Sequence, residues 1–280
     1  MVIVTSGLDM EGKPCEFYLD QNLKENLDEI KEVVGTNGKE GNDWDEIALV
    51  AGYPGTGKSN FAMSMAKYCC PDFNEKDIAF DAEDFIDFTN KAKPNSSIIL
   101  DESFQSLNSK TTMTTDFVRI INHLQLVRQK NLYIFLCIPN FFDLAKSIAI
   151  YRSAHLFTCY SPKYGQRGSF AAFGREEKKN LYIAGQKFMN YNAVNPNFRG
   201  RFVKAKGIDM EAYLKRKREH LLKQGQINIK ETKQQKTRDN LVYNLYTQEK
   251  MIAEKIALFS GLDLSSIYAI VRKKEQQLMV

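Results

Sequence analysis

Gly52, Gly57, Lys58 and Ser59 stand at the spacing G-x-x-x-x-G-K-S, inside the run Gly52–Phe61, G-Y-P-G-T-G-K-S-N-F. Residues of these types at this spacing suit a grip on a polyphosphate. Several backbone N–H groups must converge on such an anion, so the loop has to curl with little side-chain bulk. Gly52, Gly55 and Gly57 allow the positive φ angles and the close approach that the curl needs. Lys58 brings a point charge to the β- and γ-phosphates, and the Ser59 hydroxyl can ligate Mg²⁺. Tyr53, Pro54, Thr56 and Asn60 complete the candidate nucleotide-binding set. Further along, Ile98-Ile99-Leu100 leads into Asp101-Glu102. A carboxylate at the end of a buried strand can hold the hydration shell of Mg²⁺, which is the role expected of Asp101. Glu102 suits a general base that polarises an attacking water. ATP and Mg²⁺ are therefore the expected ligands, and water the expected acceptor; a phosphotransferase is disfavoured by the Asp-Glu pair.

These residues need elements to hold them. Glu46–Ala51 reads as a short buried strand before the loop, and Asn60–Tyr68 as the helix it opens, whose N-terminal dipole favours the same anion. This is the strand–loop–helix frame of a Walker A loop, and Asn95–Glu102 is the matching Walker B strand. Asp77–Phe80 reads as a weak strand, Glu83–Lys91 and Asp116–Gln129 as helices, Leu132–Ile138 as a buried strand. Phe141–Ile150 follows as a helix and Ala154–Cys159 as a strand. Alternating strands and helices imply an α/β chain, a three-layer P-loop NTPase with a mostly parallel central sheet. An additional strand between the Walker A and Walker B strands would bring Glu102 within reach of the γ-phosphate.

The run Val127-Arg128-Gln129-Lys130-Asn131-Leu132-Tyr133-Ile134-Phe135-Leu136, with Asp143 and Arg152 before a last strand, resembles FtsK–HerA-type DNA-pumping ATPases. It also resembles the zonular-occludens-toxin-like phage assembly ATPases. The resemblance covers residues 47–160. It implies that Arg128 is an arginine finger serving a neighbouring subunit's nucleotide, with Arg152 the alternative, and hence a homo-oligomer. Capping of its own helix is the other reading of Arg128. The family's polar sensor, a Gln after that strand, is not matched: Pro139 falls near its place and Asn140 one further on.

The chain has 280 residues and a net charge of +5. Residues 1–160 carry 15 Lys and Arg against 23 Asp and Glu, whereas 161–280 carry 24 against 11. A basic half points to a polyanionic partner, DNA here, although solvated helix faces account for such charge equally well. Five cysteines without a C-x-x-C pair fit reduced thiols and a cytoplasmic chain, and argue against a cysteine metal site. No stretch approaches a membrane span, and the N-terminus has no secretion signal.

Four regions are expected: an N-terminal extension (1–46), the ATPase core with a basic β-hairpin (47–206), a basic helix and linker (207–237), and a helix-turn-helix-like end (238–280). In the first, Val2–Thr5 and Phe17–Leu19 read as short edge strands and Asn22–Val34 as an amphipathic helix. The hairpin would join Ser169–Phe173 to Leu181–Met189, and Gln224–Thr237 reads as a hinge. In the last region Ile267, Ile270 and Val271 should pack inward, leaving Ser265, Ser266, Arg272, Lys273 and Lys274 as candidate DNA contacts. The expected function is a Mg²⁺-dependent ATPase acting on DNA in translocation, packaging or remodelling. A nucleotide-switched DNA-binding regulator with slow hydrolysis is the alternative.

Overall fold

The structure, a computed structural model, describes residues 2–35, 44–101, 115–163 and 165–278. It divides into two compact units, Met1–Lys215 and Arg216–Val280.

In the first unit, β1 (Val2–Leu8) and β2 (Pro14–Leu19) form an antiparallel pair, followed by α1 (Gln21–Val34). Then come β3 (Glu46–Ala51), α2 (Lys58–Cys69), β4 (Ile78–Ala79), α3 (Ala82–Lys91) and β5 (Ser97–Leu100). After them stand α4 (Thr115–Leu126), β6 (Tyr133–Ile138), β7 (His155–Tyr160), β8 (Ser169–Phe173), α5 (Arg175–Gly185) and β9 (Phe198–Arg201). The seven-stranded sheet has the order β4-β5-β6-β3-β7-β8-β9. It is parallel from β4 to β7, and β8 and β9 extend it antiparallel. β6 lies between β3 and β5, so the additional strand expected between the two Walker strands is present.

Period-two alternation sorts the strand residues onto two faces. Ala48, Val50, Phe135, Cys137 and Phe157 meet Phe61 and Met65 of α2 on one face. Ile47, Leu49, Ile134, Leu136 and Leu156 meet Phe85 of α3 and Ile120 and Leu124 of α4 on the other. The N-terminal extension joins the α2 face through Val4, Phe17, Leu23 and Leu27. The Ser6 hydroxyl donates to Lys67 O at 2.6 Å, and the Tyr68 phenol to Asp28 Oδ1 at 2.6 Å.

Three elements differ from the sequence reading. The second arm of the expected hairpin is helical: Lys178, Leu181, Tyr182 and Gly185 are buried at helical spacing, with Glu176 and Glu177 in the first turn. The strand that pairs with β8 is β9 instead. Phe141–Ile150 is not one α-helix but a 3₁₀ turn, Phe141–Asp143, and a π-helical segment, Ser147–Arg152. The expected hinge at 224–237 lies within a single helix, α6 (Met210–Thr247), because Gln, Lys and Glu favour a helix without apolar anchors.

α6 carries residues of both units. In the second unit its C-terminal part, α7 (Ala253–Ser260) and α8 (Leu264–Leu278) enclose a small core of Val242, Ala253, Ile256 and Ile267. Ile267 and Val271 are buried and Ile270 packs against that core, as the spacing predicts. Gly261 closes α7 in the left-handed region at φ +68, its N–H bonded to Ala257 O at 3.0 Å. Among the described residues no helix is long and apolar enough to cross a membrane, and no cysteine is in a disulfide.

Candidate active site

β3 ends at Ala51 and α2 begins at Lys58, so the six residues between them form the cradle. Gly52, Gly55 and Gly57 take φ angles of +150, +84 and +97. The curl is forced at Gly52, where a Cβ would stand 2.3 Å from the carbonyl oxygen of Cys159 on β7. The Thr56 hydroxyl donates to Tyr53 O at 2.8 Å and pins the turn. Phe202 lies against Gly57 from the segment after β9 and packs on Phe61 with ring centres 4.6 Å apart. The phosphate loop is therefore supported from a part of the chain far from it in sequence.

The Lys58 ammonium folds back over the loop, donating to Gly52 O at 2.7 Å and Tyr53 O at 3.1 Å. Behind it, the Ser59 hydroxyl donates to Asp101 Oδ1 at 3.0 Å. Asp101 is buried at the end of β5, and Asn60 Oδ1 is buried without a hydrogen-bond partner among the described residues. A serine hydroxyl bonded to a buried carboxylate is a hard-oxygen donor set, and it fits a Mg²⁺ that takes its other ligands from phosphate and water. Glu102 lies outside the described residues.

Two neighbours of this site were not legible in the sequence. Arg167 Nη2 lies 4.0 Å from where a Cβ on Gly55 would stand, which sets a guanidinium beside the cradle from the β7–β8 connection. The Tyr213 phenol, from the first turn of α6, donates to Asp101 Oδ2 at 2.6 Å. Asn140 also reaches the loop's surroundings, sharing a cavity of 320 Å³ with Gly52, Tyr53, Tyr160, Tyr191 and Arg199. Its amide donates to Asp143 Oδ2 at 2.9 Å and its carbonyl accepts from the Tyr191 phenol at 3.1 Å.

Arg128 stands elsewhere. It sits in the 3₁₀ turn Val127–Lys130 ahead of β6, exposed, with its guanidinium carbon 5.2 Å from the centre of the Trp44 ring. Trp44 precedes β3, so this is the N-terminal edge of the parallel strands, whereas the cradle is at the C-terminal edge. Strand residues rise about 3.3 Å each, so the two edges are about 20 Å apart. Arg128 thus cannot reach the cradle of its own chain. Arg152, the alternative, is engaged: it pairs in bidentate fashion with the buried Asp45 and donates to Leu124 O.

Among the candidate DNA contacts, the hydroxyls of Ser265 and Ser266 both donate to Asp263, which caps α8. Ser266 N–H joins them at 2.8 Å, and these hydrogen bonds hold the Asp263 carboxyl down at a pKa of about 2. Arg272 is exposed and Lys274 half-buried on the same helix; the Lys273 side chain lies outside the described residues.

No family model matches the chain, and no curated protein does. Among solved structures it is similar to the N-terminal domain of zonular occludens toxin from Neisseria meningitidis, at 18% identity and a TM-score of 0.41 over 61% of this chain and 97% of that one. It is similar to the genome packaging NTPase B204 of Sulfolobus turreted icosahedral virus 2 in complex with ATP-gammaS, at 14% identity and 0.34 over 49% and 95%. The FIGL-1 AAA domain in complex with ADP matches at 14% identity and 0.38 over 64% and 78%. The chain's own loop, helix and strand order give it the P-loop NTPase fold, with one strand set between the two that carry Gly52–Ser59 and Asp101.

Proposed function

We propose that the chain is a Mg²⁺-dependent ATPase that couples hydrolysis to work on DNA, as a homo-oligomer. The observation that carries the reading is the cluster of the glycine cradle, the Lys58 ammonium and the Ser59–Asp101 pair at the N-terminus of α2. Triphosphate would displace the loop carbonyls from Lys58, whose charge then falls on the transferred phosphoryl. Ser59 and Asp101 would hold the Mg²⁺, which when bound would supply positive charge against that of the phosphates. Glu102, next after Asp101, is the residue assigned to orient the attacking water.

Oligomerisation is supported by the place of Arg128, which is exposed at the edge away from its own cradle and so available to another chain's phosphates. DNA as the target is supported by the excess of Lys and Arg after residue 160 and by the run Lys215–Arg218 on α6.

Lys58→Ala tests the core of the reading, with nucleotide binding and hydrolysis measured in the presence and absence of duplex DNA. The wild type should bind ATP, hydrolyse it, and be stimulated in proportion to DNA length; the variant should bind no nucleotide. Unchanged nucleotide affinity in the variant would refute the site. A footprint at one DNA sequence, without length-dependent stimulation, would favour a nucleotide-switched regulator instead.

A further inference from the structure

Asp101 is held from both sides. Ser59 Oγ donates to Oδ1 at 3.0 Å and the Tyr213 phenol to Oδ2 at 2.6 Å, with Asp101 only 2% and Tyr213 only 4% exposed. The two partners of this second bond are 112 residues apart in sequence. The phenol ring packs on Phe80, ring centres 5.9 Å apart, just after β4. The neighbouring residue of that strand, Ala79, accepts the Asp101 N–H at 2.9 Å. Side chain and backbone of Asp101 are thus fixed by one local assembly of β4, Phe80 and Tyr213.

We propose that Tyr213 is a positioning residue for the Mg²⁺-binding carboxylate, acting through Asp101; the inference rests on the Mg²⁺–ATP reading above. A carboxylate carries about four lone-pair positions, and a donor on each of its two oxygens sets its plane. Held in that plane, Oδ1 keeps the hydrogen bond from the Ser59 hydroxyl, and the serine oxygen keeps its lone pairs for a cation. The choice of a phenol matters. A lysine or arginine in that place would orient the carboxylate equally well, but its charge would repel the metal ion. A neutral donor orients and does not compete. It is also buried, so water cannot substitute for it when it is removed.

Tyr213→Phe removes the hydroxyl and keeps the ring against Phe80. Mn²⁺ binding to the full chain, loaded with a nonhydrolysable ATP analogue, can be read by electron paramagnetic resonance. Affinity for the same analogue in EDTA is the control. The variant should bind Mn²⁺ about 10- to 100-fold more weakly, the usual effect of removing a residue that orients a metal ligand. Its metal-free affinity for the analogue should match that of the wild type. Tyr213→Leu, which also loses the ring, should weaken Mn²⁺ to the same extent and lower the melting temperature besides. Wild-type Mn²⁺ affinity in Tyr213→Phe would overturn the proposal while leaving the ATP reading intact. So would a loss confined to the melting temperature, or an equal loss of analogue binding in EDTA, since either marks a role in packing alone. A wild-type chain that binds no analogue would remove the ATP reading and this proposal together.

Discussion

Alanine at Gly52 and at Gly55 should have very different effects, although both glycines lie in the same loop and both have positive φ. Forcing an L-residue to positive φ costs about 1–3 kcal/mol at either position. At Gly55 little is added, because among the described residues the new methyl would meet only the end of the Arg167 side chain at 4.0 Å. At Gly52 the methyl would stand 2.3 Å from Cys159 O and 3.0 Å from Thr56 Oγ1. The threonine can turn away, but the carbonyl belongs to β7, whose Thr158 is in register with Ala51 of β3. Contact distances require it to retreat by about 1 Å, an overpacking cost of about 1–3 kcal/mol more. The totals are about 2–6 kcal/mol for Gly52→Ala and about 1–3 kcal/mol for Gly55→Ala. A domain of this size loses about 2–4 °C of melting temperature per kcal/mol. Thermal melts of the two variants, with ATP titrations alongside, should show Gly52→Ala both less stable and poorer at binding. Equal losses in the two variants, or a greater loss at Gly55, would refute the argument from the β3–β7 register.

Two further outcomes can be checked directly. If Arg128 serves a neighbour, subunits carrying Arg128→Ala mixed with subunits carrying Glu102→Gln should regain part of the ATPase activity that each lacks alone; no recovery at any ratio would argue against a shared site. Lys178 is fully buried, donating to Ser153 Oγ at 2.7 Å, and burial pushes its pKa down to about 7. The unfolded chain then holds that proton more tightly, so this group's contribution to stability should grow as pH rises from about 7 towards 10.5 and vanish as pH falls through 7. Urea midpoints at pH 7 and 9 should converge in Lys178→Met relative to the wild type; an unchanged difference would discard the assignment.

The cradle and both Walker strands were legible because their information is local: a fixed spacing, a short apolar run before it, a helix after it. The sheet's period was equally open in Glu46–Ala51 and Tyr133–Ile138, where every residue is buried and parallel pairing on both sides demands it. What escaped were contacts made across long stretches of chain. Phe202 beside Gly57, Arg167 beside Gly55 and Tyr213 on Asp101 carry no motif, and only the folded path of residues 160–213 brings them to the loop. Leu181–Met189 was misread for a different reason. Its apolar residues alternate loosely enough to pass for a strand, and the decisive helical signal is the burial of Lys178, which a sequence shows only as a charge. The hydrogen bonds from Ser265 and Ser266 to Asp263 were hidden for a similar reason, since capping geometry is set by the fold and carries no motif.

The two rims of the large sheet also bear on assembly. β4 is two residues long, and β9 is four, Phe198-Arg199-Gly200-Arg201, with a cation on either side of its glycine. Short and charged borders of this sort discourage backbone docking by another strand. Copies of this chain would therefore not fuse their sheets into a continuous ribbon. If copies assemble as proposed, side-chain contacts and not strand pairing at these two rims would join them.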